Sequence, residues 1–377
     1  MDDDIEAYNF SSVKNMFNFS YNQAMEILKE HTVRSRVFSR TVEATFVSCY
    51  TLLIATGVCV NLLILFIIVT KKSVYTHRNL FVVNLNISDL ALCLLCMPFT
   101  LVELILRNWP LGEFLCKVTP FVQASTIFVS ASTISAIAID RHYSILTINP
   151  AKTQNGKRRV VVCTCVIWLV SMVLSLPICI AKRLEKVGLP GYVIYEKCIE
   201  EWPSSSSKLV YLLITLIAQL AIPATVLLTT HFRVKAHLNF TVMKQSGRRS
   251  TLKSERTQRE LRRKQRATMV LLNVSLVFTI SWLPWNVINL VADLYPTIMS
   301  PKNLYMVFAI CHLIAMSSAT SNPIMYGWLN TNIKRELVRF CEMLSSALLS
   351  SNSKRENSGE SVNAVPLSQL PQRDRNN

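Results

Sequence analysis

Charged side chains are missing where the chain is most apolar: Ala44–Thr70, Val118–Ile139, Val160–Ala181, Leu209–Thr230 and Ala267–Ala292 contain no Asp, Glu, Lys or Arg. With Asn79–Arg107 and Asn303–Trp328 they make seven stretches, each long enough to carry about 20 helical residues across the roughly 30 Å hydrocarbon layer of a bilayer. Lipid tolerates only backbones that satisfy their own hydrogen bonds, and barrel strands are much shorter than these runs, so helices are expected. The chain is 51% hydrophobic with a mean hydropathy of +0.32, which excludes an ordinary soluble domain of 377 residues. The expected fold is an all-α membrane protein, a seven-transmembrane helix bundle over 44–328 preceded by an N-terminal segment, 1–43.

Other absences narrow the function. The opening Met-Asp-Asp-Asp-Ile-Glu stretch lacks the apolar core of a signal peptide, so the first span is expected to act as the export anchor. Cys93-Leu-Leu-Cys96 has no second pair and lies at lipid depth, which argues against zinc. No nucleophile–base or metal constellation is recognisable, so no enzyme is expected. No internal repeat is visible, and Asp89 is the one strongly ionisable group deep in a span, which argues against a pump or transporter.

What charge there is falls between the runs. The formal net charge is +17. Lys71, Lys72 and Arg78 follow the first span, Lys152, Lys157, Arg158 and Arg159 follow the third, and the densest cluster, from Arg233 to Arg266, follows the fifth. These loops alternate with acid-containing ones such as Glu185–Glu201, so the basic loops belong in the cytoplasm and the N-terminus outside, at the plasma membrane. Topology accounts for the basic residues, and no nucleic-acid partner is expected; the inner face instead suits anionic lipid or an acidic protein surface. Asn9 and Asn18 begin glycosylation acceptor sequences in the outer segment. Cys116 and Cys198 each lie in or beside an outer segment, where a disulfide is chemically permitted.

The third inner connection, roughly Lys235–Lys264, and the Ser- and Asn-rich tail, 342–377, are expected to be mobile or disordered regulatory segments. Between the last span and that tail, Ile333, Leu337 and Phe340 share one helical face opposite Lys334, Arg335 and Arg339. This predicts an amphipathic membrane-surface helix over 329–341, with Cys341 placed for palmitoylation.

Polar groups at membrane depth are costly and need a partner or a purpose. Asp89 lies mid-span, and Asn61, Ser130, Ser318 and Asn322 occupy positions in other spans that could face it. Two readings stand: a polar cluster stapling helices together, or a cation-binding switch. Pro284 and Pro323 remove backbone donors and allow their helices to bend. Arg141, at a cytoplasmic helix end, can be held by neighbouring Asp140 and released when the inner face opens.

Taken in order, the chain carries Asn61; Leu85-x-x-x-Asp89; Trp109-Pro-Leu-Gly112 before Cys116; Asp140-Arg141-His142; Trp168; Pro223; Phe278-x-x-x-Trp282-Leu-Pro284; and Asn322-Pro323-x-x-Tyr326. This series resembles the rhodopsin-like G-protein-coupled receptor family over about Ala44–Cys341. The resemblance implies a Cys116–Cys198 disulfide, a sodium ion among Asp89, Ser130, Ser318 and Asn322, and Trp282 as the floor of an outer pocket. It also implies that Asp140, Arg141, His142, Phe278, Pro284, Asn322, Pro323 and Tyr326 serve activation, with Arg141 meeting a heterotrimeric G protein, and that arrestin and receptor kinases are partners. Three departures bear on mechanism. Lys264 stands where many members place an acid, so no ionic lock from helix three to helix six is expected; His231 replaces a usual tyrosine; Val60 and Ala319 replace small or polar residues.

The outer halves of the spans point to the ligand. Gln123, eighteen residues before Arg141, stands where amine receptors of this family carry an aspartate, and Met316 stands where visual pigments carry the retinal lysine. Eighteen residues make five helical turns, which put Gln123 and Arg141 on one face about 27 Å apart. Gln123, Asn289, Asp293 and His312, with Glu103 at the end of span two, are similar to the neuropeptide Y and neuropeptide F receptors, which bind peptides ending in Arg-aromatic-amide. That resemblance implies that Asp293 pairs with a ligand arginine, that Gln123 and Asn289 hydrogen-bond the terminal amide, and that signalling runs through inhibitory-class (Gi/o) G proteins. Another peptide subgroup, such as a tachykinin-like one, is the alternative.

Overall fold

A computed structural model describes residues 23, 25–26, 38–72, 74–76, 79–106, 108–146, 156–189, 192–246, 251–329, 332–343 and 345–346. Asn9, Asn18 and the tail beyond 346 lie outside the described residues. Among those described, seven helices are long and apolar enough to cross a membrane. They are α1 (Arg40–Thr70), α2 (Asn79–Ile105), α3 (Gly112–Leu146), α4 (Gly156–Ala181), α5 (Ser205–Leu216, continued over Ile217–Ala221 and Ile222–Ser246), α6 (Thr251–Leu294) and α7 (Pro301–Met316, continued as Ser318–Leu329). An eighth helix, α8, covers 332–343.

The helices begin where the sequence supplies acceptors for orphan backbone donors. Ser39 caps α1, Ser204 and Ser207 form a reciprocal capping box at α5, and Ser300 caps α7 just ahead of Pro301. Proline shapes their middles. Five-residue π turns at Leu92–Cys96 and Ile217–Ala221 come just before Pro98 and Pro223, whose missing N–H groups interrupt the regular ladder. In α7, Pro323 cannot donate to the carbonyl of Ala319 four residues back. The side chain of Asn61 does so instead, at 2.9 Å, while also donating to the Gly57 carbonyl.

The bundle packs around α3. Of its most apolar window, 67% is buried inside the protein, against 22% for α4, which turns Val162, Val166, Leu169, Val173 and Ile180 outward to lipid. A polar chain fixes α2, α3 and α4 together: Trp168 Nε1 donates to Asn84 Oδ1 at 2.8 Å, and Asn84 Nδ2 donates to Thr133 Oγ1 at 2.8 Å.

Two features depart from the sequence expectation. The third inner connection is helical to Ser246 and again from Thr251, rather than loose throughout Lys235–Lys264. Its residues explain this: apart from Gly247 it lacks glycine and proline and is rich in Arg, Lys, Gln, Glu and Leu, all good helix formers. Between α4 and α5 the chain forms an antiparallel strand pair, β1 (Lys182–Leu189) and β2 (Tyr192–Glu200), with an irregularity at Val187/Gly188. The Cys116–Cys198 disulfide joins β2 to the head of α3. Trp109 N–H donates to the Glu196 carbonyl at 2.7 Å, and Glu196 N–H donates to Asn108 Oδ1 at 2.9 Å, so the first outer loop holds the strand pair from the other side.

Candidate functional site: an outer pocket and the relay beneath it

Four helices bring polar groups together in the outer half of the bundle. Gln123 of α3 meets His312 of α7 at 3.2 Å between Nε2 atoms, and the other ring nitrogen of His312, Nδ1, lies 2.7 Å from the hydroxyl of Tyr50 on α1. With the Gln123 amide nitrogen turned to the ring, Nε2 accepts, the ring hydrogen sits on Nδ1, and Nδ1 donates to Tyr50. Thr100 of α2 donates to Gln123 Oε1 at 3.4 Å. His312 is buried, with the Trp285 ring edge-on to it at 5.0 Å and Phe308 against Trp285 at 5.8 Å. The result is a neutral hydrogen-bonding base walled by aromatic rings, a setting that suits an amide or a hydroxyl better than a charge.

Charge is kept at the rim. Asp293, near the end of α6, is paired with Lys208 of α5 at 2.9 Å. Glu103, in the last turn of α2, lies 3.9 Å from Lys182 of β1, which also approaches Glu200 of β2 at 3.7 Å. Tyr305 of α7 donates to the Glu103 carbonyl at 3.0 Å. Asn289 is tied to its own helix, donating to the Trp285 carbonyl at 2.7 Å. Of the residues expected to line the pocket, then, the structure joins Gln123 to His312 directly, whereas Asp293 and Glu103 each meet a lysine. Tyr50, Thr100, Lys208 and Lys182 were not anticipated. A hydroxyl deep in span one was the available signal for Tyr50; nothing local in the sequence marks Lys208.

Below the pocket, Trp282 is fully buried, packs at 6.2 Å from Phe278, and donates through Nε1 to Ser318 Oγ at 3.0 Å. Asp89 is also fully buried, with Asn322 Nδ2 at 3.3 Å from Oδ2 and Ser130 within hydrogen-bonding reach; Ser130 and Ser88 hydroxyls lie 2.9 Å apart. Ser130 and Asn322 thus reach the Asp89 carboxyl group, whereas Ser318 is engaged by Trp282 and Asn61 by the Ala319 carbonyl. The side-chain oxygens of Asn61 and Asn322 and the Tyr326 hydroxyl are buried without a hydrogen-bond partner. A buried carboxyl group whose hydrogen-bonding neighbours are neutral, one of them Asn322 with its own oxygen unpartnered, fits a small hard cation.

At the inner end, Asp140 pairs with Arg159 of α4 at 2.5 Å, which ties α3 to α4 beside Arg141. His142 is buried, its ring edge against Tyr143 at 5.6 Å. In α8, Ile333 is buried, Phe340 lies 6.0 Å from Phe66 of α1, and Cys341 is exposed, as an amphipathic surface helix requires.

This arrangement, an aromatic-walled polar cluster in the outer half of the bundle above further buried polar side chains, lies in a fold with known relatives. Residues 60–326 match the 7 transmembrane receptor (rhodopsin family). The chain belongs to that family. Within it, the chain is 35% identical over 303 residues to the neuropeptide F receptor of Drosophila melanogaster, a match covering 77% of this chain and 61% of that protein. It is 30% identical over 297 residues to the neuropeptide Y receptor type 6 of Oryctolagus cuniculus, covering 77% and 78%. With the neuropeptide Y receptor type 2 of Homo sapiens it shares 28% over 298 residues, covering 78% and 75%. The chain is thus a rhodopsin-like receptor of the neuropeptide Y family, a multi-pass membrane protein and not an enzyme.

Proposed function

We propose that this receptor binds an amidated peptide ending in Arg-aromatic-amide and in response activates heterotrimeric G proteins of the inhibitory class. The observation that carries this reading is the division of chemistry in the pocket. Acids stand at the rim, Asp293 and Glu103 each already engaged with a lysine, and a neutral base of Gln123, His312 and Tyr50 lies deeper. An amidated peptide has the same layout, with a cation one residue before an uncharged, aromatic end. The ligand arginine pairs with Asp293, the terminal amide reaches Gln123 and Asn289, and the aromatic ring packs near Trp285 and Trp282.

The chemistry of the remaining sites supports further parts of this reading. The N-terminus faces outward, with Asn9 and Asn18 glycosylated. Asp89, Ser130, Ser318 and Asn322 hold a sodium ion, which would supply the positive charge that the buried carboxylate lacks. Cys341 carries an acyl chain that fixes α8 to the inner leaflet. The basic inner face meets anionic lipid, the G protein, arrestin and receptor kinases.

Asp293→Ala tests the central pairing. Removing one partner of a desolvated charge pair costs about 2–5 kcal/mol, so an Arg-containing amidated peptide should lose one to several decades of potency in a cellular G-protein assay. Full potency in the variant would refute the pairing. Ligand-stimulated GDP release from a purified inhibitory-class G protein tests the coupling.

A further inference from the structure

We propose that Lys208 is the receptor's own stand-in for the ligand cation, so that peptide binding is an exchange at Asp293 in which an incoming arginine displaces Lys208. This rests on the ligand pairing assigned to Asp293 above. Lys208 lies in the first turn of α5, where the helix dipole favours anions and disfavours a lysine. Its placement is therefore not explained by the helix that carries it. It is explained by the neighbour: the Asp293 side chain is only 14% exposed, and its carboxylate has the Lys208 ammonium at 2.9 Å. A carboxylate so far withdrawn from water needs a cation, and the free receptor supplies one from the opposite helix.

The two cations are not equivalent. An ammonium offers a point charge, whereas a guanidinium offers two parallel N–H donors to one carboxylate. The Lys208 side chain is 34% exposed, so once displaced it can turn into water without leaving a buried charge behind. A free amine or a peptide lysine reaching the rim exchanges like for like and gains little. An arginine anchored by the deeper Gln123 and His312 contacts gains the second hydrogen bond and keeps the site. Lys208 therefore lowers the receptor's affinity for its peptide while keeping the empty pocket closed to adventitious cations.

Equilibrium binding to membranes carrying the full-length receptor tests this with two synthetic amidated peptides, one ending in Arg-Tyr-amide and one with citrulline, a neutral isostere, in place of the arginine. Lys208→Gln should tighten the arginine peptide by about two- to fivefold, the range of a partly exposed ion pair, and leave the citrulline peptide unchanged. Lys208→Arg, which keeps a cation on Asp293, should not tighten it and controls for folding. If Lys208→Gln leaves the arginine peptide unchanged or weaker while Asp293→Asn weakens it, the exchange is overturned but the pairing with Asp293 stands. If Asp293→Asn also binds at full affinity, the pairing itself has failed.

Discussion

A single side chain can decide whether a bent helix is held or left open. Pro323 deprives the Ala319 carbonyl of its helical donor, and Asn61, 258 residues away in sequence, supplies another at 2.9 Å. Asn61→Ala should leave that carbonyl buried and unpaired, at a cost of about 1–3 kcal/mol. The detergent-solubilised variant should melt at a clearly lower temperature than the parent, and an unchanged midpoint would show that the carbonyl finds another donor. Tyr50 acts on the pocket rather than on stability. Its hydroxyl, 2.7 Å from His312 Nδ1, takes the ring hydrogen and so leaves Nε2 as the acceptor facing Gln123. Tyr50→Phe removes that acceptor and frees the ring to change tautomer. The amidated peptide should then bind roughly tenfold more weakly, the equivalent of one lost hydrogen bond of about 1–1.5 kcal/mol, with little change in receptor abundance. Equal dissociation constants in saturation binding would remove Tyr50 from the pocket.

At the scale of elements, the helices were legible and their partners were not. Lipid requires long uninterrupted apolar runs, so the first span reads from the sequence to its last residue, Thr70, and the surface helix reads from the face formed by Ile333, Leu337 and Phe340. The strand pair β1–β2 imposes no such demand. Its sequence, with Pro190-Gly191 between two short runs, carried a turn signal that the surrounding charge obscured. Contacts such as Lys208–Asp293 and Tyr50–His312 join residues 85 and 262 positions apart, and no local pattern encodes which of many polar side chains will face one another. Resemblance names individual candidate residues such as Gln123 and Asp293, but what each one touches requires the fold. The strand pair also carries a prediction. The disulfide to Cys116, with the Trp109 and Asn108 bonds to Glu196, ties β2 to the head of α3 and to the first outer loop, and β1 beside it carries Lys182 to the rim acid Glu103. Cys198→Ser leaves only the two hydrogen bonds to do so. Peptide affinity should fall at least tenfold, by analogy with the roughly 2–5 kcal/mol that a native disulfide contributes to small extracellular domains. Binding on intact cells, corrected for surface abundance, measures it, and retained affinity would mean that the hydrogen bonds suffice.

Across the whole molecule, Gln123 of the outer pocket and the inner Arg141 share α3, while the groups between them lie largely on α6 and α7. On α6 and α7, Trp282 is bonded to Ser318 and Asn322 to Asp89, so a shift of the pocket floor acts on the helix that carries the partner of Asp89. Asp89 is a fully buried carboxyl group with neutral hydrogen-bonding neighbours. If sodium satisfies it in the resting arrangement, a peptide that favours a rearranged α7 must weaken the ion, and by reciprocity the ion must weaken the peptide by the same factor. A coupling of ordinary size, about 1–3 kcal/mol, corresponds to a roughly 5- to 150-fold loss of peptide affinity in saturating sodium relative to an organic cation too large to enter. Asp89→Asn removes the charge that attracts the ion yet keeps the shape of the side chain. Its peptide affinity should be equal in the two media and close to the sodium-free value of the parent receptor. A variant that remained sensitive to sodium would place the ion elsewhere. A parent receptor indifferent to sodium would leave Asp89, Ser130, Ser318 and Asn322 as a polar staple between helices.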